Sequence, residues 1–146
     1  RLFLLVLWGY LLHMKVKKYG YRAKKAQEQF NRFIVLKDSG KPCVSCGRYL
    51  PLTCGHFRSV GAAPELRFEE DNAHGQCVEC NGNKSGNVKA YRVGLIDRIG
   101  LSRVETLEGY HEPKHWTIYD LHEIEKVYKA KADVMETNWE YFYESA

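Results

Sequence analysis

The sequence is poor in the features that would assign it at once. No apolar run is long enough to span a bilayer. The longest, residues 1–13 (RLFLLVLWGYLLH), falls short of the ~20 residues a membrane-crossing helix needs. It has no initiating methionine and one leading basic residue, and no small-x-small cleavage site follows it. It is read as a fragment boundary, an upstream extension or a segment that packs on a partner. No internal repeat or low-complexity stretch is present, which excludes a fibrous array, and 45% hydrophobic with 27% charged residues excludes whole-chain disorder. There is no even set of cysteines: the count of 5 argues against a pure disulfide framework. The net charge of +4 is too small to name a partner.

What is present is unevenly placed. Residues 15–48 carry a net charge of +8, residues 49–99 sum to zero, and residues 100–146 carry −5. A basic arm of this kind is the footprint expected for a polyanion, and equally that of a solvated helix face. Arg22, Lys24 and Lys25 are its candidate phosphate contacts. The acidic C-terminal stretch is expected to pack, dimerise or face water.

The 146 residues are read as an apolar extension (1–14), a basic helix (15–41), a four-cysteine core with its following helix (42–100) and a helical C-terminal region (101–146). Ala23, Ala26, Phe30, Phe33 and Ile34 recur at helical spacing, and the turn signal Asp38-Ser39-Gly40 ends that helix. Tyr91, Leu95, Ile96 and Ile99 predict a helix stopping at Gly100, and a short helix is expected near Ser102–Glu108. Thr117 and Asp120 resemble a capping box opening a last helix that runs to about Asn138. Its apolar face, with Leu121, Ile124, Val127, Tyr128 and Val134, is the expected surface of a homodimer. The aromatic tail Trp139, Tyr141, Phe142 and Tyr143 is read as part of a packing or dimer surface.

Cys43-x-x-Cys46 and Cys77-x-x-Cys80 each place two sulfurs on one tight turn, and two such turns close a tetrahedral four-cysteine site for structural Zn²⁺. Paired thiols of this kind fit a reducing cytoplasm. Cys54 is left over and is read as a small, partly buried residue. A structural zinc does no chemistry, so catalysis needs other groups. His56, Asn72 and Asn81 stand between and just after the knuckles.

This order resembles the HNH nuclease motif. The segments Pro42-Cys-Val-Ser-Cys-Gly, Gly55-His-Phe-Arg, Ala62-Ala-Pro-Glu-Leu-Arg-Phe and Asn72-x-His-x-Gln-Cys-x-x-Cys-Asn-x-x-Lys-Ser-Gly-Asn are similar to the lambdoid phage NinG (Rap) recombination endonuclease family, from about Tyr21 to Tyr128. The resemblance implies an α+β fold, with a small zinc-bound ββα-metal (HNH, or His-Me finger) core flanked by α-helices. It implies a metal-dependent endonuclease acting on branched DNA, such as Holliday junctions and D-loops, in the bacterial host cytoplasm. His56 would be the general base, Asn72 would hydrogen-bond the motif backbone or the imidazole and so fix the base and the loop, and Asn81, at the start of the following helix, would offer an oxygen to Mg²⁺ or Mn²⁺. Arg58 and Lys84 would neutralise flanking phosphates. Many HNH enzymes carry an acidic metal ligand just before the base, where this chain has Gly55. Cys54, Glu69, Glu70, Asp71 and His74 are the neighbouring donors from which another ligand would come. The alternative is a non-catalytic zinc-knuckle DNA-binding module, and a weaker one is a zinc-stapled protein-interaction scaffold.

Overall fold

The structure is a computed structural model that describes the backbone of residues 2–144 and the side chains of residues 4–9 and 11–139. The side chains of Tyr141, Phe142 and Tyr143, named above as an aromatic tail, lie outside the described residues. The first element is one helix, α1 (Leu2–Lys37). It crosses the 14/15 division drawn from the change in composition without a break. Leu, Met, Lys and Tyr there all tolerate helix, and composition is not a backbone signal. From Leu4 to Leu12 the described side chains are exposed on every side, whereas Ala23, Ala26, Phe30, Phe33 and Ile34 are buried as their spacing predicts. No helix among the described residues is long and apolar enough to cross a membrane.

The last helix, α4 (Ile118–Glu144), lies against that buried stripe. Its start is the predicted capping box: Thr117 N–H donates to Asp120 Oδ2 at 2.9 Å, and Asp120 N–H donates to Thr117 Oγ1 at 3.0 Å. It continues past Asn138 because no glycine or proline intervenes before Glu144. Arg22 meets Glu125 and Arg32 meets Asp133 and Glu136, so α1 and α4 run in the same direction. Leu121, Tyr128 and Ala132 are buried against Phe30 and its neighbours. The apolar face assigned to a homodimer is therefore largely covered by α1 of the same chain, with Val127 and Val134 left exposed. Burial of a side chain such as Leu121 contributes about 1.5–3 kcal/mol.

Between the helices lies a two-stranded antiparallel sheet, β1 (Leu52–His56) with β2 (Ala73–Cys77), paired from Leu52↔Cys77 to His56↔Ala73. Short 3-10 turns, Pro64–Leu66 and Glu70–Asn72, occupy the connection. After β2 comes a π-helical turn, Glu79–Asn83, and then α2 (Val88–Ile99) and α3 (Leu101–Glu108). The helix after the second knuckle thus begins later than expected. Asn81 sits in the π turn, and Ser85, Gly86 and Asn87 all have positive φ, which breaks the helix before Val88.

A second cluster joins the knuckle to these helices through Val44, Phe57, Leu66, Tyr91, Leu95 and Val104. Gly94 permits the contact, because a Cβ there would overlap the Val44 carbonyl. The result is a mixed α+β chain with a four-cysteine cluster at one end of its small sheet.

Candidate functional site

Two knuckle turns bring Cys43, Cys46, Cys77 and Cys80 together, with all four Sγ atoms within 4.8 Å of one another. Cys46 and Cys77 Sγ are 3.8 Å apart. Four thiolates at about 2.3 Å from a tetrahedral zinc would sit about 3.8 Å from each other, so the cluster suits a structural metal such as zinc. A disulfide would hold the sulfurs at about 2.05 Å, and all the cysteines are free. N–H groups surround the sulfurs as thiolates require. Cys77 N–H donates to Cys43 Sγ at 3.3 Å, Arg48 Nε to Cys46 Sγ at 3.4 Å, and Asn87 Nδ2 to Cys80 Sγ at 3.4 Å. Cys54 lies apart against the α1 cluster, where burial pushes its thiol up to about 12, so it is not a nucleophile at neutral pH.

His56 ends β1. Its Nε2 is 2.9 Å from the Arg67 carbonyl, which can only accept, so Nε2 carries the proton and the lone pair of the neutral ring is on Nδ1. Nδ1 makes no hydrogen bond among the described residues. Burial lowers the pKa below the usual imidazole value, the Arg67 carbonyl opposes that shift, and the Arg67 charge adds to it, so the ring is neutral at pH 7. Phe30 stacks on it from α1, with ring centroids 6.0 Å apart and planes at 29°.

Asn72 is fully buried. Its Oδ1 accepts from Arg58 N–H at 2.8 Å, and its Nδ2 donates to the carbonyls of Arg58 at 2.9 Å and Leu66 at 3.2 Å. It clamps the loop leaving His56 and makes no hydrogen bond to the imidazole among the described residues. Asn81 Nδ2 donates to Thr53 Oγ1 at 3.0 Å and to the Cys54 carbonyl at 3.2 Å, which leaves its Oδ1 without a hydrogen bond among the described residues. His56 and Asn81 line one open cleft of about 570 Å³, with Arg58, Ser85 and Gly86.

The cations expected at phosphates are mostly engaged within the fold. Arg22 pairs with Glu125 at 3.1 Å and is only partly exposed, because α4 lies over that face of α1. Lys25 pairs with Glu28 at 3.0 Å and Lys84 with Glu79 at 3.2 Å. Arg58 lines the cleft while donating to the Leu107 carbonyl at 3.1 Å, at the C-terminal end of α3. Lys24 is the most open of the group, with its side chain 76% exposed and Glu28 at 4.0 Å.

Of the donors considered beside Gly55, none lines this cleft. Asp71 pairs with Arg103, Glu70 accepts from Lys131 at 2.6 Å, and His74 is buried with Nδ1 3.6 Å from Asp38 Oδ2.

Sequence reasoning missed three residues that hold the site. Asp38, read only as a turn former, is fully buried and accepts from Gly75 N–H at 2.6 Å, Arg98 at 2.7 Å and Lys41 at 3.0 Å. Burial alone would raise its carboxyl, but His74, Gly75 N–H, Lys41 and Arg98 more than offset that and hold it well below the usual carboxylate range. Tyr91, read as core, also donates its hydroxyl to the Gly55 carbonyl at 2.8 Å, tying α2 to the strand next to His56. Gln76 is fully buried beneath the same strand and had no periodicity to mark it.

Comparison with known proteins adds the following. Residues 11–138 match the family described as Bacteriophage Lambda NinG protein. The chain is 43% identical over 120 residues to Protein ninG of Escherichia phage lambda, covering 81% of this chain and 59% of that protein. It is 42% identical over 120 residues to Protein ninG of Salmonella phage P22 (81% and 59%) and of Escherichia phage 933W (81% and 60%). The chain thus spans about three-fifths of the length of these curated relatives. No solved structure matches.

Proposed function

The chain belongs to the NinG family of lambdoid phage proteins, and from that premise we propose that it is a metal-dependent DNA endonuclease of HNH type, hydrolysing phosphodiesters in branched recombination intermediates. The observation that carries this reading is the His56 imidazole. Its Nε2–H is fixed on the Arg67 carbonyl, and His56 lines one cleft with Asn81, whose Oδ1 has no hydrogen bond among the described residues.

In this reading His56 Nδ1 takes a proton from the water that attacks phosphorus. Arg67 holds the tautomer that makes this possible. Asn72 keeps the loop from Arg58 onward in place, and Arg58 stands in the cleft near the phosphate. Asn81 Oδ1 is the oxygen available to a hard divalent ion such as Mg²⁺ or Mn²⁺, which would offset charge on the phosphate and the leaving oxygen.

The test is cleavage of a four-way junction with Mg²⁺ or Mn²⁺. His56→Ala should lower the rate by about 10²-fold or more while leaving zinc content unchanged. Because the base must be neutral and burial depresses its pKa, activity should persist below the ordinary imidazole value of ~6.5 before falling in acid. A His56→Ala protein that cuts as fast as the parent refutes this mechanism.

A second reading, a non-catalytic zinc-knuckle DNA-binding module, is favoured by one observation: among the described residues no carboxylate lines the cleft. It predicts tight, salt-sensitive junction binding with no metal-dependent cutting.

A further inference from the structure

Gly55 precedes the proposed base and has no side chain to offer, nor room for one. A Cβ at that position would overlap Gln76 Oε1, with Gln76 Cβ at 2.8 Å and Cδ at 3.0 Å. The space is therefore already filled by an oxygen from the neighbouring strand. The amide orientation of Gln76 is set by its nitrogen, which donates to the Gly86 carbonyl at 2.6 Å and to Ser45 Oγ at 2.7 Å. Turning the amide over would press its oxygen against the Gly86 carbonyl. Oε1 is left buried with no hydrogen-bond partner among the described residues.

That oxygen is on the face of the sheet where Asn81 is held. Thr53 and Gln76 are register partners, so their side chains share a face, and Gly55 follows two residues later on the same face. Thr53 Oγ1 donates to the Gln76 carbonyl at 2.8 Å and accepts from Asn81 Nδ2 at 3.0 Å. Gly86, which fixes the Gln76 amide, is itself part of the cleft wall. Two amides thus have their nitrogens tied to the fold and their oxygens without a hydrogen bond among the described residues, on the face of the sheet opposite the one that carries the His56 side chain, with Gln76 fully buried behind the Gly86 wall of the cleft. Hard divalent ions take oxygen ligands, carbonyl oxygens of Asn and Gln included.

We propose that Gln76 Oε1 is the second protein ligand, with Asn81 Oδ1, for the divalent ion of this cleft, standing where other HNH chains use an acidic side chain at position 55. The assignment rests on the nuclease reading above. It makes Gly55 the consequence of the ligand's having moved to the opposite strand, and not the mark of an inactive site.

The experiment is Mn²⁺ binding to the zinc-loaded chain, followed by the electron paramagnetic resonance signal of free Mn²⁺, with junction cleavage measured in parallel. Gln76→Ala should weaken Mn²⁺ binding by about tenfold or more. The double substitution Q76A/G55D should regain it, since truncation at 76 clears the space into which the new carboxylate projects. Gln76→Met, which keeps the volume without the oxygen, serves if the alanine variant fails to fold, as judged by zinc content and thermal midpoint. A merely structural Gln76 would lower the midpoint without changing Mn²⁺ affinity and would gain nothing from G55D. Folded Gln76 variants that bind Mn²⁺ like the parent overturn this assignment while parental cleavage leaves the nuclease reading intact. A parent that neither binds Mn²⁺ nor cuts overturns both.

Discussion

In the α1–α4 pair the packed residues follow one helical stripe, and the ions sit on its rim: Arg22 with Glu125, Arg32 with Asp133 and Glu136. In the cysteine-centred part the arrangement is reversed. Asp38, Asn72, His74 and Gln76 are polar and buried, and they bond strand and loop backbone from inside. The helix pair can afford loosely held charges because its apolar contacts do the holding. The two-stranded sheet has little apolar mass of its own, so buried hydrogen bonds and a cysteine cluster suited to a metal must define it. The contrast also explains the lopsided charge of the sequence, since part of the basic arm and part of the acidic tail neutralise each other across the helix pair.

The largest expected break is removal of the metal. Chelation of the zinc-loaded protein should lower the thermal midpoint by more than any single substitution below, because the binding energy of such a site, on the order of 10 kcal/mol, is folding energy. Hydrogen exchange should show β1 and β2 losing protection before the helix pair does.

Next is Asp38→Asn, expected to cost about 3–5 kcal/mol in urea unfolding because it leaves Arg98 without its buried partner. The pH dependence follows from the depressed carboxyl: its contribution is complete above the unfolded value of ~3.9 and is lost as pH falls through the lower folded value. The difference from the parent should therefore be flat from pH 5 to 8 and shrink only in strong acid.

Leu121→Ala, in the buried stripe of α4, should cost about 2–4 kcal/mol at any pH and leave zinc content unchanged. Arg22→Gln should cost less than about 1 kcal/mol, vanish at high salt, and leave junction affinity unaltered, since the guanidinium faces Glu125. A large loss of affinity from Arg22→Gln would return that residue to the DNA surface and weaken the comparison.

The parts of the fold legible in the sequence are those written in local code. The stripe from Ala23 to Ile34, the stop at Gly100, the Thr117–Asp120 cap and the two knuckles all announce themselves within a few residues. His56 stands out by its place in the motif, but its tautomer depends on a carbonyl 11 residues away. Asn81 is misplaced as an element when the turn signals Asn81-Gly82 and Ser85-Gly86-Asn87 are not read as a break ahead of the helix. Asp38 needed Arg98, 60 residues on, and Arg22 needed Glu125, 103 residues on. Pairings over such separations have no period, so the basic arm reads as a polyanion footprint or a solvated face where part of it is a seam with the acidic helix.

Phe30 belongs to both regions. Its ring meets Tyr128 of α4 edge-on at 4.8 Å and lies over His56 at 6.0 Å. The face of an aromatic ring shields nuclei held above it. The His56 ring protons therefore carry, in their chemical shifts, a spectroscopic readout of how α1 sits on α4. A single resonance in the cleft can report the docking of two helices.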